Sequence, residues 1–287
     1  MPKPATPVLH ALRIHPVKSM AGCTPDSAVV EPWGLAGDRR WTLIDATGKA
    51  VTQRQRPRLA LARAEPRPDG GIRLTAPGIG PLVIGVPRAD DTVVAEIFGT
   101  KVESVLAGPD VRDADDTRQD VHRTLSGYLG VEVRLVHLDD PAVRRPVDPA
   151  YARPGETVSF ADGFPLLVTT TASLDALNSL IARGDHADEG PLPMERFRPN
   201  LVVAGASPWE EDDWRRIAVG EVTFRVAKPC GRCVVTTTDQ RTGERGKEPL
   251  RTLGHYRRFG GKLVFGQNLV PESTGTLRVG DPVTVLE

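Results

Sequence analysis

Apolar and polar residues alternate through most of this chain. Val8 to His15 alternates and stops at Pro16, which predicts a strand. Arg40 to Asp45 predicts a second, Asp45 to Lys49 with Gly48 supplies a turn, and Ala50-Val51-Thr52 returns. Ile72 to Leu74, Leu82 to Val86 and Val93 to Ile97 are short runs cut apart by Gly and Pro. The period then changes. Between Val111 and Leu129, residues Val121, Leu125, Tyr128 and Leu129 share one helical face, and Gly130 suits the C-cap.

Val131 to Val136 returns to alternation, and the Pro- and Arg-rich stretch Asp139 to Thr157 reads as irregular. Ser173 to Ala182 predicts a helix with Leu174, Leu177, Leu180 and Ile181 inward, capped by Thr171 or Ser173. Arg183 to Pro193 is a polar loop. Leu201 to Val203 is a strand, and Ile217 to Val226 folds as a hairpin across Gly220-Glu221. The β-branched run Val234 to Thr238 predicts a strand, as do Leu263 to Phe265, Leu277 to Val279 and Val283 to Val285. The expected class is mostly β (α+β), with small barrels and a few helices.

A chain of 287 residues fits two domains, placed here at 1–130 and 131–287. Its 28 glycines and 26 prolines match many short elements. Lys+Arg and Asp+Glu balance at 37 each, which speaks against a nucleic-acid binder or a charged membrane surface. The three cysteines, Cys23, Cys230 and Cys233, are too few for a disulfide framework and fit a reducing compartment. Met1 to Thr24 holds no long apolar run, and no stretch approaches the ~18 apolar residues of a membrane span. A cytoplasmic protein is expected.

Two of the cysteines fall in Lys228-Pro229-Cys230-Gly231-Arg232-Cys233. Thiolates make soft, covalent metal bonds. The C-x-x-C spacing also admits half of a zinc site, a redox dithiol or two buried structural cysteines; no second C-x-x-C completes a zinc set, and the motif does not open a helix. Three other segments put cationic or polar groups at strand ends: His15-Pro16-Val17-Lys18-Ser19, Gly37-Asp38-Arg39-Arg40 and Arg196-Phe197-Arg198-Pro199-Asn200. In a chain of zero net charge they point to local recognition of an anion.

These segments, together with Asp162-Gly163-Phe164-Pro165, Ala172-Ser173-Leu174 through Asn178, Phe265-Gly266-Gln267-Asn268 and Val279-Gly280-Asp281-Pro282, make the chain resemble the MOSC proteins that carry a MOSC N-terminal β-barrel domain. That group contains the mitochondrial amidoxime-reducing components and their bacterial relatives. The likeness runs from Leu12 to Val285. It implies an N-terminal barrel-like domain, a C-terminal MOSC barrel, and a molybdenum cofactor (Mo-molybdopterin) ligated by Cys233. It further implies that Lys18, Ser19 and Arg39 grip the phosphate end. Gly163 and Phe164 would contact the pterin, Arg198 and Asn200 its polar edge, and Gly231 and Arg232 would flank the metal ligand, with Asn268 close by. Arg232 beside Cys233 is expected to favour the thiolate.

The implied reaction is two-electron reduction of an N–O bond in amidoximes, hydroxylamines or N-hydroxylated base analogues. Asp239 is a candidate proton relay, or else a turn former before Gln240 to Gly243. No cysteines remain for an iron–sulfur cluster and no GxGxxG unit for a flavin or nicotinamide, so a separate donor is expected, such as a ferredoxin or a cytochrome with its reductase. A persulfide carrier on Cys233 and a non-catalytic cofactor carrier are the alternatives.

Overall fold

The computed structural model describes residues 6–88, 91–108, 110–112 and 118–287. Its largest sheet has eight strands. In spatial order they are Val8–Leu12, Leu201–Ala204, Leu166–Thr170, Lys262–Pro271, Val222–Gly231, Arg216–Val219 and Val283–Val285, with Arg258–Phe259 added beside Lys262–Pro271. A bridge between Val8 and Pro282 ties the first of these strands to the last, so the sheet nearly closes into a barrel. The inward residues Leu9, Leu12, Val168, Leu201, Ile217, Phe224 and Leu269 are fully buried and form its core.

Three smaller sheets complete the fold; the first two hold mostly N-terminal strands, and the third packs Val30, Leu35 and Leu277 into the core of the large sheet. One joins the strands 63–66, 72–76, 79–84, 110–112 and 118–120. Another joins Trp41–Ile44, Arg134–His137, Thr100–Leu106 and Thr92–Ile97, and the third joins Gly275–Arg278, Ser27–Glu31 and Gly34–Leu35. The chain crosses the 130/131 divide in both directions. Val8–Leu12 pairs in the C-terminal sheet, whereas Arg134–His137 pairs antiparallel with Trp41–Ile44. This exchange ties the two parts together.

Helices cover the outside. Val121–Leu129 is capped by Asp120, whose carboxylate accepts N–H bonds from His122 and Arg123, and ends at Gly130 with φ 64°. The helical reading from Val111 starts too early: 110–112 and 118–120 are strands, and residues 113–117 lie outside the described residues. Thr171–Ile181 links the parallel strands Leu166–Thr170 and Leu201–Ala204. Its N-cap is Thr170 rather than Thr171 or Ser173, because the Thr170 hydroxyl accepts the Ser173 N–H at 3.1 Å. Leu177 and Ile181 are fully buried; Leu174 and Leu180 are half-buried.

The clearest departure from pattern follows Cys233. Val234–Thr237 is a turn of 3-10 helix, not a strand. The Thr236 hydroxyl donates to the Cys233 carbonyl and the Thr237 hydroxyl to the Val234 carbonyl, each at 2.9 Å. These local bonds override β-branched propensity. The strand Val222–Gly231 also carries register shifts opposite Lys262–Pro271, at Val226/Lys228 and Pro229/Gly231, which bend it toward the cleft. Gly266 sits opposite with φ 75°, where a Cβ would lie 2.6 Å from the Val168 carbonyl oxygen.

Candidate functional site

Between the two parts lies a cleft of about 590 Å³. All eleven residues expected to touch a cofactor line it: Lys18, Ser19, Arg39, Gly163, Phe164, Arg198, Asn200, Gly231, Arg232, Cys233 and Asn268. The lining also includes Arg54, Asp148, Asp162, Lys228, Cys230 and Lys262. The walls thus present seven cationic side chains against two carboxylates, in a chain with no net charge. Such a concave cationic wall selects an anion.

Each cation has a definite origin. Lys18 follows the first strand and is fixed by its own N–H on the Trp41 carbonyl at 2.8 Å. Its ammonium donates to the Phe160 carbonyl at 2.8 Å and to the Asp162 carboxylate. Burial pulls Lys18 down to about 8, and the Asp162 charge opposes that pull. Asp162 stands open to cleft water, with its side chain 63% accessible. Desolvation works against its ionised form, yet Lys18 and Arg54 hold it well below the usual carboxylate range. Arg39 reaches Asp38, the Asn200 side-chain oxygen at 3.0 Å and the Arg198 carbonyl at 3.1 Å. Asn200 is buried, and its oxygen also accepts the Leu167 N–H.

Arg198 differs from its neighbours. Burial lowers it to about 9, with the Arg39 charge acting in the same direction. Its Nη2 is a buried donor with no hydrogen-bond partner among the described residues. A buried unpaired guanidinium donor is costly, and an anion in the cleft would satisfy it. Ser19, Arg39 and Arg198 also hold left-handed backbone, with φ of 67°, 48° and 54°. Such conformations cost about 1–3 kcal/mol each and gather where structure serves a ligand.

The two thiols have different partners. Arg54 Nη2 lies 3.4 Å from Cys233 Sγ and 3.3 Å from Asp162. Arg232 does not serve Cys233 as expected: its Nη1 donates to Cys230 Sγ at 2.9 Å and its Nη2 to the Phe197 carbonyl at 2.7 Å. The strand ends at Gly231 and Cys233 opens the 3-10 turn, so the two neighbouring side chains serve different partners. Arg54 belongs to no motif, and only the fold brings it across. Arg245 holds it there, donating to the Gln53 carbonyl and to the Arg54 carbonyl at 2.8 Å. Phe98 covers it from outside, its ring centroid 4.5 Å from the guanidinium carbon.

Arg145 shapes the opposite wall. It is buried and donates to the carbonyls of Ser159, Ala161 and Asp162, which fixes the turn into Gly163-Phe164. Burial lowers it to about 10. It belongs to the stretch whose pattern reads as irregular. Asp239 does not line the cleft. Its carboxylate accepts the N–H groups of Arg241 and Thr242 and pairs with Arg196 at 3.0 Å. That is the geometry of a turn former, the second of the two readings open for Asp239.

Among the described residues no group of three His, Cys, Asp or Glu side chains could hold a metal ion. A metal at Cys233 would therefore have to bring most of its ligands with it. A model of the MOSC N-terminal beta barrel domain matches residues 6–132, and one of the MOSC domain matches 155–284. The mitochondrial amidoxime-reducing component 1 of Mus musculus is 32% identical over 294 residues, covering 96% of this chain and 81% of that protein. The chain belongs to the MOSC family. Its Homo sapiens relative of the same name is 33% identical over 293 residues, covering 96% of this MOSC protein and 82% of the relative. The molybdenum cofactor sulfurase of Oryza sativa subsp. japonica is 30% identical over 285 residues, 90% of this chain and 32% of that protein. No helix among the described residues is long and apolar enough to cross a membrane.

Proposed function

We propose that this MOSC protein is a molybdenum cofactor-dependent oxidoreductase that reduces N-hydroxylated compounds with electrons from a separate redox protein. One observation carries the reading. The same cleft wall holds a half-buried thiol, Cys233, and a half-buried arginine, Arg198, whose buried Nη2 has no partner among the described residues. A soft ligand and an anion cradle in one cleft fit a metal carried by an anionic organic cofactor. The relatives named for amidoxime reduction support the choice of substrate.

In this reading Cys233 is the metal ligand. Lys18, Ser19 and Arg39 hold the phosphate end, Gly163 and Phe164 the pterin through their loop, and Arg198 and Asn200 its polar edge. Gly231, Arg232 and Asn268 complete the wall near the thiol. Arg54 donates to the Cys233 sulfur and shapes its donor strength. When bound, the cofactor supplies two-electron oxygen-atom transfer chemistry. The net reaction is R–NH–OH + 2 e⁻ + 2 H⁺ → R–NH₂ + H₂O. The three free cysteines suit a reducing compartment, and we place the protein in the cytoplasm.

The deciding assay is reduction of benzamidoxime by molybdenum-loaded protein supplied with a small-molecule reductant. Benzamidine is the expected product. Loaded protein that turns over no N-hydroxylated compound would instead be a cofactor carrier. A second reading, sulfur transfer through a Cys233 persulfide, draws on the kinship with the cofactor sulfurase. It requires cyanide-labile sulfur on metal-free protein, which the first reading does not.

A further inference from the structure

Residues 245–262 hold six Lys or Arg against a single Glu, although the whole chain is neutral. The lone acid, Glu248, is buried and accepts from Thr252, and Arg257 is buried against Asp212; the exposed cations are Arg245, Lys247, Arg251, Arg258 and Lys262, faced from outside the stretch by Asp185 and Glu189. The helix Leu250–Tyr256 packs Leu253 inward and leaves Arg251, His255 and Tyr256 outside. The strand Arg258–Phe259 then turns through two glycines into Lys262 and Leu263. Tyr256 is 61% exposed and Phe259 49%, a high share for aromatic rings. Arg251 pairs only with Asp185, an exposed contact worth little, and Arg258 has no acidic partner among the described residues.

This patch is built to be rigid. The Arg257 guanidinium lies 4.8 Å from the Phe259 ring centroid and 4.2 Å from that of Trp209. Asp212 pins Arg257 and is itself held by Gln267 at 2.8 Å. The Phe259 ring packs on a guanidinium that is itself held in place, and a ring oriented in advance loses less entropy on docking. The patch is also continuous with the cleft. Gly261, Lys262 and Leu263 line it, and the Leu263 carbonyl accepts the Arg232 N–H at 2.6 Å, one residue from Cys233.

We propose that this surface, the helix Leu250–Tyr256 with the hairpin 258–263, docks an acidic one-electron carrier of the iron–sulfur ferredoxin class. The proposal rests on the reductase reading given above. Cationic residues around fixed aromatic rings match an acidic protein with an apolar centre. The hydrogen-bonded step from Leu263 to Arg232 gives a short route to the thiol. Each docking delivers one electron, so two carriers are oxidised for each N–O bond reduced, with two protons taken up and one water released.

The test uses the full-length molybdenum-loaded protein, an acidic [2Fe–2S] ferredoxin and the double variant Arg251→Glu/Arg258→Glu. Titration calorimetry measures binding, and a second assay drives turnover with a chemical reductant. At low ionic strength the variant should bind ferredoxin at least about 10-fold more weakly, and the difference should shrink at high salt. Its reductant-driven turnover should match the wild type, because neither residue lines the cleft. Phe259→Ala should weaken binding with little change in salt dependence. Equal ferredoxin affinity in wild type and double variant overturns the proposal. So does wild-type binding to anionic phosphatidylserine vesicles, lost in the double variant, with no binding to ferredoxin. Absence of reductant-driven turnover in every protein would count against the reductase reading, while the calorimetry still decides the docking surface.

Discussion

Arg54 Nη2 sits 3.4 Å from Cys233 Sγ, across 179 residues of sequence. One guanidinium joins the N-terminal part to the thiol of the C-terminal part and touches Asp162 on the way. An N–H bond to a sulfur withdraws electron density from it. Arg54→Ala should therefore move the sulfur-to-metal absorption of the loaded protein to lower energy and reduce metal retention severalfold. Arg54→Lys should restore part of the retention. An unshifted spectrum in Arg54→Ala would show that the contact does not tune the sulfur.

Lys18 gives a pH signature. Its folded value of about 8 means that it is charged below that pH and neutral above it. Anion binding in the cleft should weaken as the pH climbs from 7 to 9. Calorimetric titration of cofactor-free protein with sulfate, whose charge is constant over this range, measures this, and Lys18→Met should flatten the dependence. A wild-type affinity that does not change over this range would remove Lys18 from the anion cradle.

His137 predicts an acid limit to stability. Its ring lies tilted against Trp41, with centroids 4.5 Å apart, and it is lowered from 6.5 to about 4, by burial first and then by the Arg40 charge. A histidine depressed in the folded state favours folding fully above its unfolded value. That contribution is lost as pH falls from about 6.5 toward 4, because the unfolded chain takes up the proton first. The loss amounts to about 3 kcal/mol over the window. His137→Gln should show a lower Tm at pH 7 and a shallower decline between pH 6.5 and 4.5. Parallel Tm curves in variant and wild type would contradict this.

Asp239 tests the boundary of the site. Its carboxylate is engaged by Arg196, Arg241 and Thr242. Asp239→Asn should lower stability by about 1 kcal/mol and leave metal content and reductant-driven turnover unchanged. A large fall in turnover at full metal content would return Asp239 to the reaction.

Much of this site is legible in the order of the amino acids alone. Lys18, Arg39, Arg198 and Cys233 occur in local motifs at strand ends, and the fold brings those ends to one cleft. The amphipathic helix near Leu125 and the hairpin at Gly220 are legible because each is set by short-range periodicity and a turn. What the sequence hides is long-range. Arg54 and Arg145 lie in unremarkable segments and matter only through contacts with residues far along the chain. The Cys230–Arg232 pairing depends on which way each side chain leaves a bent strand. The turn Val234–Thr237 is hidden for a different reason: threonine hydroxyls can satisfy the backbone locally, and pattern alone does not reveal when they do.

The most direct measurement is the molybdenum content of protein made in a molybdenum-replete host, in wild type and in Cys233→Ser. The account predicts about one molybdenum per wild-type chain and a loss of most of it in the variant, with the fold intact by circular dichroism. Wild-type protein without molybdenum, or a variant that keeps the full amount, would contradict it.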